Sequence, residues 1–143
     1  MLPRKPSDDE RGSASLEFIV AGLILLVPIV YLILALGAVQ NAALGTEATA
    51  RFVARTIATG DRADAGVVRD SVAAGYGLDP GSLTIRVECF PAANDCPAAG
   101  VTVVVTVSDT VSLPFMPDIF GLADATAIPV DATGTYRVER LSE

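Results

Sequence analysis

Two places in this 143-residue chain hold side chains whose type and spacing could do chemistry. The first is Arg11-Gly12-Ser13-Ala14-Ser15-Leu16-Glu17, where a carboxylate stands directly against Phe18 to Val39, a run of 22 residues without a charge. A carboxylate within a membrane helix is disfavoured by up to about 3 kcal/mol at the bilayer centre, and by less near its edge. A residue kept there needs a partner or a task. The second place is the pair Cys89 and Cys96, with six residues between them. The chain has no histidine, and no other ligands stand at a spacing suited to zinc. The cysteines read as one disulfide in an oxidising compartment, or as two free buried thiols.

Nothing else in the sequence suggests an active site. There is no histidine base, no glycine-rich phosphate loop and no nucleophile elbow. The carboxylates are scattered and read as solvated surface charge. Asp61, Asp64 and Asp70 could approach a cation, but their spacing is not that of a calcium loop. The expectation is a protein that is not an enzyme and uses no cofactor. Beyond residue 40 the chain has seven Arg, thirteen Asp or Glu, and no Lys. So acidic a segment, with no basic stripe, argues against nucleic acid and against docking on an anionic lipid surface.

The element that positions Glu17 is a helix. Twenty-two residues at 1.5 Å each span about 33 Å, against a hydrocarbon core of about 30 Å. The helix is expected to start near Ser13 and to continue through the alanine-rich stretch Gln40 to Thr59, about 70 Å in all. Pro28 lacks an amide proton and should kink it. In the outer part, Leu44, Ala48 and Phe52 are spaced by four on one face, Val53 and Ile57 extend an apolar edge, and Arg51 and Arg55 mark the wetter side. Gly22, Gly37 and Gly45 are either weak points or places of close packing. Gly60 suits a left-handed helix cap and Asp61 the start of another helix. That second helix is expected over about Arg62 to Ala74, with Val67, Val68 and Val72 as its apolar face.

After the turn residues Gly75-Tyr76-Gly77 and Asp79-Pro80-Gly81 the apolar period changes from about 3.6 to 2. Leu83, Ile85, Val87 and Cys89 alternate with Thr84, Arg86 and Glu88. Val101, Val103, Val105 and Val107 alternate with Thr102, Val104, Thr106 and Ser108. Ile128, Val130, Ala132, Tyr136 and Val138 share one face of a third run. These are three half-buried strands, expected to be antiparallel. The fold class is therefore α+β: a long N-terminal transmembrane helix, a second short helix, then a small three-stranded antiparallel sheet. A Cys89–Cys96 bond would tie the loop between the first two strands. Leu113 to Leu122 is too apolar for a plain loop and reads as a lid over the open sheet face, or as a contact surface for a partner or lipid.

Met1 to Arg11 is polar and holds Pro3 and Pro6, so it reads as a leader or a disordered tail. Three acids offset its three basic residues, so charge does not set the orientation of the span. Ala35-Leu36-Gly37 could be a signal-peptidase site, although the apolar run is longer than a signal peptide needs.

Gly12 followed by Ser13-Ala14-Ser15-Leu16-Glu17 and a long apolar helix resembles the processing site of type IV pilin-like precursors. The resemblance implies cleavage between Gly12 and Ser13 by a membrane aspartyl prepilin-type peptidase, with Glu17 fifth in the mature chain. Cleavage would leave an amine on Ser13 beside the bilayer. Glu17 of a neighbouring subunit could neutralise it as helices stagger into a bundle. The start GSASLEF, the proline within the span, TEATARFVARTIA, the strand pair, the Leu-Pro-Phe segment and the final strand together resemble the TadE-like proteins of tight-adherence (Tad/Flp) pilus systems. The likeness covers most of residues 11–140 and is closest over 11–57. One departure is Ser13, where type IV pilins commonly begin with Phe. The chain is larger than a major Flp pilin, which favours a minor subunit.

The resemblance divides the chain into a leader (1–12), a transmembrane and extended helix (13–59) and an extracytoplasmic α+β domain (60–143). It implies a single-pass cell membrane protein whose partners are membrane lipid, the peptidase, other pilin-like subunits and the Tad assembly machinery, with incorporation in a surface pilus. A type II secretion pseudopilin is a close relative of this reading. The alternative from another class is an unprocessed single-pass protein whose outer domain binds a ligand or a cell-wall component. A third is a secreted enzyme domain released near Gly37.

Overall fold

The structure is a computed structural model that describes residues 13–60, 62–92, 95–115 and 125–139. Five elements follow in order: α1 (Ser13–Ala58), α2 (Ala65–Gly75), β1 (Thr84–Phe90), β2 (Thr102–Val111) and β3 (Ile128–Arg137). This is the α+β layout expected from the sequence. The chain forms two compact units, residues 1–36 and residues 37–143.

In the first unit, α1 is apolar on all sides and exposed on nearly all of them. Of the most apolar 18-residue window only 6% is buried within the protein. A helix hydrophobic all round belongs in a core or a membrane, and no core covers this one. α1 is long and apolar enough to cross a bilayer, which is compatible with a single-pass membrane protein. The helix runs unbroken through Pro28.

The second unit holds the rest of α1, α2 and the sheet. The strands are antiparallel in the order β1-β2-β3. The central strand, β2, buries Val103, Val105 and Val107 completely. They meet Ala50, Val53, Ala54, Ile57 and Ala58 of α1, Ala73 of α2, and Leu83. The fit depends on small residues. Gly134 of β3 lies against α1, where an added Cβ would stand within 2.6 Å of the Ala50 and Arg51 backbone. At Gly45 an added Cβ would meet Leu78 Cδ1 at 2.6 Å and Tyr76 Cβ at 2.9 Å, whereas Gly22 and Gly37 have nothing within 4 Å. Gly45 is thus a place of close packing, and the helix continues through it.

Two helix faces differ from expectation. In the second unit the buried face of α1 consists of Ala42, Gly45, Thr46, Thr49, Ala50, Val53, Ala54, Ile57 and Ala58, whereas Leu44 is 58% and Phe52 50% exposed. Val53 and Ile57 are core residues, not an edge beside Leu44 and Phe52. The Gly134 backbone lies against the helix at Ala50, and the Leu78 and Tyr76 side chains lie against Gly45, so the inner face takes small residues at these two places. Thr46 and Thr49 are buried without cost from loose hydroxyls. Thr46 donates to the carbonyls of Ala42 and Ala43 (both 3.0 Å), and Thr49 to that of Gly45 (2.7 Å). In α2, Ala73 and the half-buried Ala65, Val68 and Val72 face inward, while Val67 points outward. Gly60 has φ +98° after the last turn of α1, as a left-handed cap requires. Asp61 lies outside the described residues.

Candidate functional site

Of the residues singled out at the membrane boundary, Gly12 lies outside the described residues, and Ser13 and Glu17 are on α1. Helical spacing places Ser13, Leu16, Glu17, Val20, Ala21 and Ile24 along one face, which lines a shallow, almost wholly apolar groove of about 440 Å³. Glu17 is exposed and is the one charge between Ser13 and Thr46. Among the described residues no cation pairs with it. The next charge along the chain, Glu47, is satisfied by Arg51 one turn further on. A lone carboxylate on an apolar helix face is suited to attract a cation brought by another chain. Tyr31, on the same helix, has a buried hydroxyl without a hydrogen-bond partner among the described residues. Sequence reading missed this group, because no pattern marks a tyrosine in an apolar run as unpaired.

Cys89 and Cys96 are joined in a disulfide, with Cα atoms 6.0 Å apart. Cys89 packs against the core from the inner face of β1, so the bond fastens the β1–β2 connection to the sheet. Beside it a cleft of about 530 Å³ is lined by Arg62, Val87, Glu88, Phe90 and Ala92. Val87, an inward position in the alternation, is 36% exposed there.

The open face of the sheet is polar. Thr84, Arg86 and Glu88 of β1 with Thr106 and Ser108 of β2 line a depression of about 330 Å³, and Thr106 and Thr133 share a hydrogen bond. Asp109 is buried at the sheet's end, where it accepts from the Ser82 hydroxyl (2.9 Å) and the Thr110 amide (2.8 Å). Among the described residues no three His, Cys, Asp or Glu side chains converge on a metal position. Of the apolar segment after β2, Leu113 and Pro114 are half-buried and Phe115 is exposed; Met116 to Leu122 lie outside the described residues.

A second groove, which the sequence did not disclose, lies between α1 and the edge strand β3. Ala48, Arg51, Phe52, Arg55, Thr135 and Tyr136 line it, and it holds about 440 Å³. It exists because Phe52 is turned away from the core. Compared with family models, with curated proteins and with solved structures, the chain matches none.

Proposed function

We propose that this chain is a non-enzymatic, pilin-like minor component of a Tad/Flp-type pilus or a related secretion machine. A prepilin-type peptidase cuts it between Gly12 and Ser13, and it assembles through its N-terminal helix, with the α+β unit outside the cell. The observation that carries the reading is the lone Glu17 on a long apolar helix, five residues after Gly12 and unpaired among the described residues. Cleavage supplies the missing cation, an amine on Ser13 of a neighbouring copy. Two charges that are each costly beside the bilayer are then neutralised together. The exposed apolar faces of α1 gain neighbouring helices in the same step.

The test is the mature N-terminus of the protein from its native membrane, read by mass spectrometry, beside a Glu17→Ala variant. The expected result is a chain that starts at Ser13 and a variant that is cut but does not join a filament or complex. A chain starting at Met1 in cells that possess the peptidase overturns the proposal. It leaves a single-pass anchor, with the search for function moved to the outer unit.

A further inference from the structure

The apolar run of α1 joins the sheet-bearing unit at one particular end, and contacts within that unit identify it. Gly45 lies against Leu78 and Tyr76, and Asn41 donates to the Tyr76 carbonyl (2.6 Å). A few residues on, the Ser82 hydroxyl donates to Asp109 (2.9 Å) and Thr84 pairs with Ser108. The Gly37 end of this helical segment therefore stands where β2 finishes and β3 begins, at the pair Val111↔Ile128. Its other end stands at the opposite end of the sheet. Arg62, just past Ala58, lines the cleft that holds Phe90 and the disulfide. α1 and β2 thus run side by side in opposite directions.

A shared landmark sets the distances. Gly134, opposite Val105, lies against Ala50. From Ala50 back to Val39, the last residue of the charge-free run, is eleven residues of helix, about 17 Å. From Val105 on to Val111 is six residues of strand, about 20 Å. The end of β2 therefore reaches about as far as Val39, and the chain continues beyond it through Leu113, Pro114 and Phe115. Phe115 is 84% exposed, the barest large apolar side chain among the described residues, and Ile128, opposite Val111, is 37% exposed. The φ of +61° at Phe115 is one that a bulky L residue rarely adopts. A costly backbone conformation thus accompanies a ring that its own unit leaves bare.

From these observations we infer that Phe115 enters the surface of the bilayer beside α1, as a second apolar contact with the leaflet that the helix leaves. The occupant is lipid because the ring stands level with the end of the charge-free run, where the apolar surface of α1 begins. An aromatic side chain suits the boundary between headgroups and hydrocarbon. Such entry needs no anionic headgroup, in keeping with the acidic composition beyond residue 40. A single helix leaves a unit free to tilt in any direction. A contact to one side of it selects one tilt and holds the disulfide end away from the membrane. The inference rests on α1 crossing a bilayer and requires no cleavage at Gly12.

The chain has no tryptophan, so one introduced by substitution reports alone. The test places the full chain carrying Phe115→Trp in phosphatidylcholine vesicles at high lipid excess. Its emission is expected to lie to the blue of tryptophan in water. Lipids brominated near the top of the acyl chain should quench it more than lipids brominated near the chain end. Phe90→Trp, at a position 69% exposed and at the far end of the sheet, should emit as in water with little quenching. Ser112→Trp, at an exposed position, should follow Phe115→Trp with weaker quenching, and it carries the test if Phe115→Trp does not fold. An intact Cys89–Cys96 bond reports the fold in each variant. Water-like, unquenched emission at position 115 would overturn the inference. So would a blue-shifted emission that no brominated lipid quenches, the mark of a ring packed on protein, or equal quenching at positions 90 and 115. Leu26→Trp in the same vesicles separates this inference from the membrane reading of α1. Deep quenching at position 26 with none at 115 removes the Phe115 contact and keeps the spanning helix; no quenching at position 26 removes both.

Discussion

One helix, α1, meets two environments. From Ser13 to Leu36 it is apolar on all faces, and the protein covers almost none of it. From Gly37 to Ala58 it is mixed in character, and one face is fully buried against the sheet. The first stretch has the character that hydrocarbon accepts, where any large apolar side chain serves on any face. The second is selected for fit. Its inner face holds Ala, Gly, Thr, Val and Ile, while its largest apolar side chains, Leu44 and Phe52, face outward. Hydrophobicity governs the first region and volume the second. The reason is close approach at two places, the Gly134 backbone against Ala50 and the Leu78 and Tyr76 side chains against Gly45, which leaves no room for a large side chain there.

That contrast breaks most readily at Gly134. A valine there drives its side chain into the Ala50–Arg51 backbone, and the sheet-bearing unit should lose about 3 kcal/mol or more, since backbone cannot yield as a side-chain tip can. Urea unfolding of the full chain in detergent, followed by near-ultraviolet dichroism, measures the loss. Helicity of residues 13–36 should survive. If it falls in step with the sheet-bearing unit, the two regions are not independent.

Removing the disulfide by Cys89→Ser with Cys96→Ser should cost about 2–3 kcal/mol, the loop-closure value for so short a segment, and again only in the sheet-bearing unit. The same urea midpoints report it. A matched pair of glycine changes sharpens the comparison further. Gly45→Ala gains helix propensity of about 1 kcal/mol and meets Leu78 and Tyr76, so the net effect should be a loss of about 1 kcal/mol. Gly22→Ala meets nothing within the protein and should be neutral or stabilising by up to about 1 kcal/mol. Equal responses at the two sites, read by thermal melts in detergent, would erase the distinction drawn between them.

The smallest effect is the most pointed. Leu44→Gln should change the stability of the sheet-bearing unit by no more than about 0.5 kcal/mol, as expected for an exposed position. Were Leu44 part of the core, as its spacing with Ala48 and Phe52 suggests, the loss would be several-fold greater. A large loss in urea titrations would restore the face read from periodicity.

Much of the fold was legible in the sequence because the signals are local. A charge-free run of 22 residues, the change from a period of 3.6 to 2, and Gly60 at the end of α1 each report on their own neighbourhood. The three strands, their antiparallel order and the tie between Cys89 and Cys96 agree with that reading. Glu17 stood out for the same reason, as one charge at the edge of an apolar run.

What only the tertiary structure decided is which face of each helix turns inward, and therefore what is left outside. Periodicity locates an apolar stripe but is blind to the distance at which another backbone approaches. Gly134 brings β3 against Ala50, and Gly45 admits Leu78, from residues far apart in the chain. Those contacts place Thr46 and Thr49 inside, with their hydroxyls bonded to the helix's own carbonyls, and leave Phe52 beside Tyr136 in an open groove. Burial is a property of pairs of segments, and a sequence read one segment at a time holds the apolar character of each residue but not the space its neighbours leave for it.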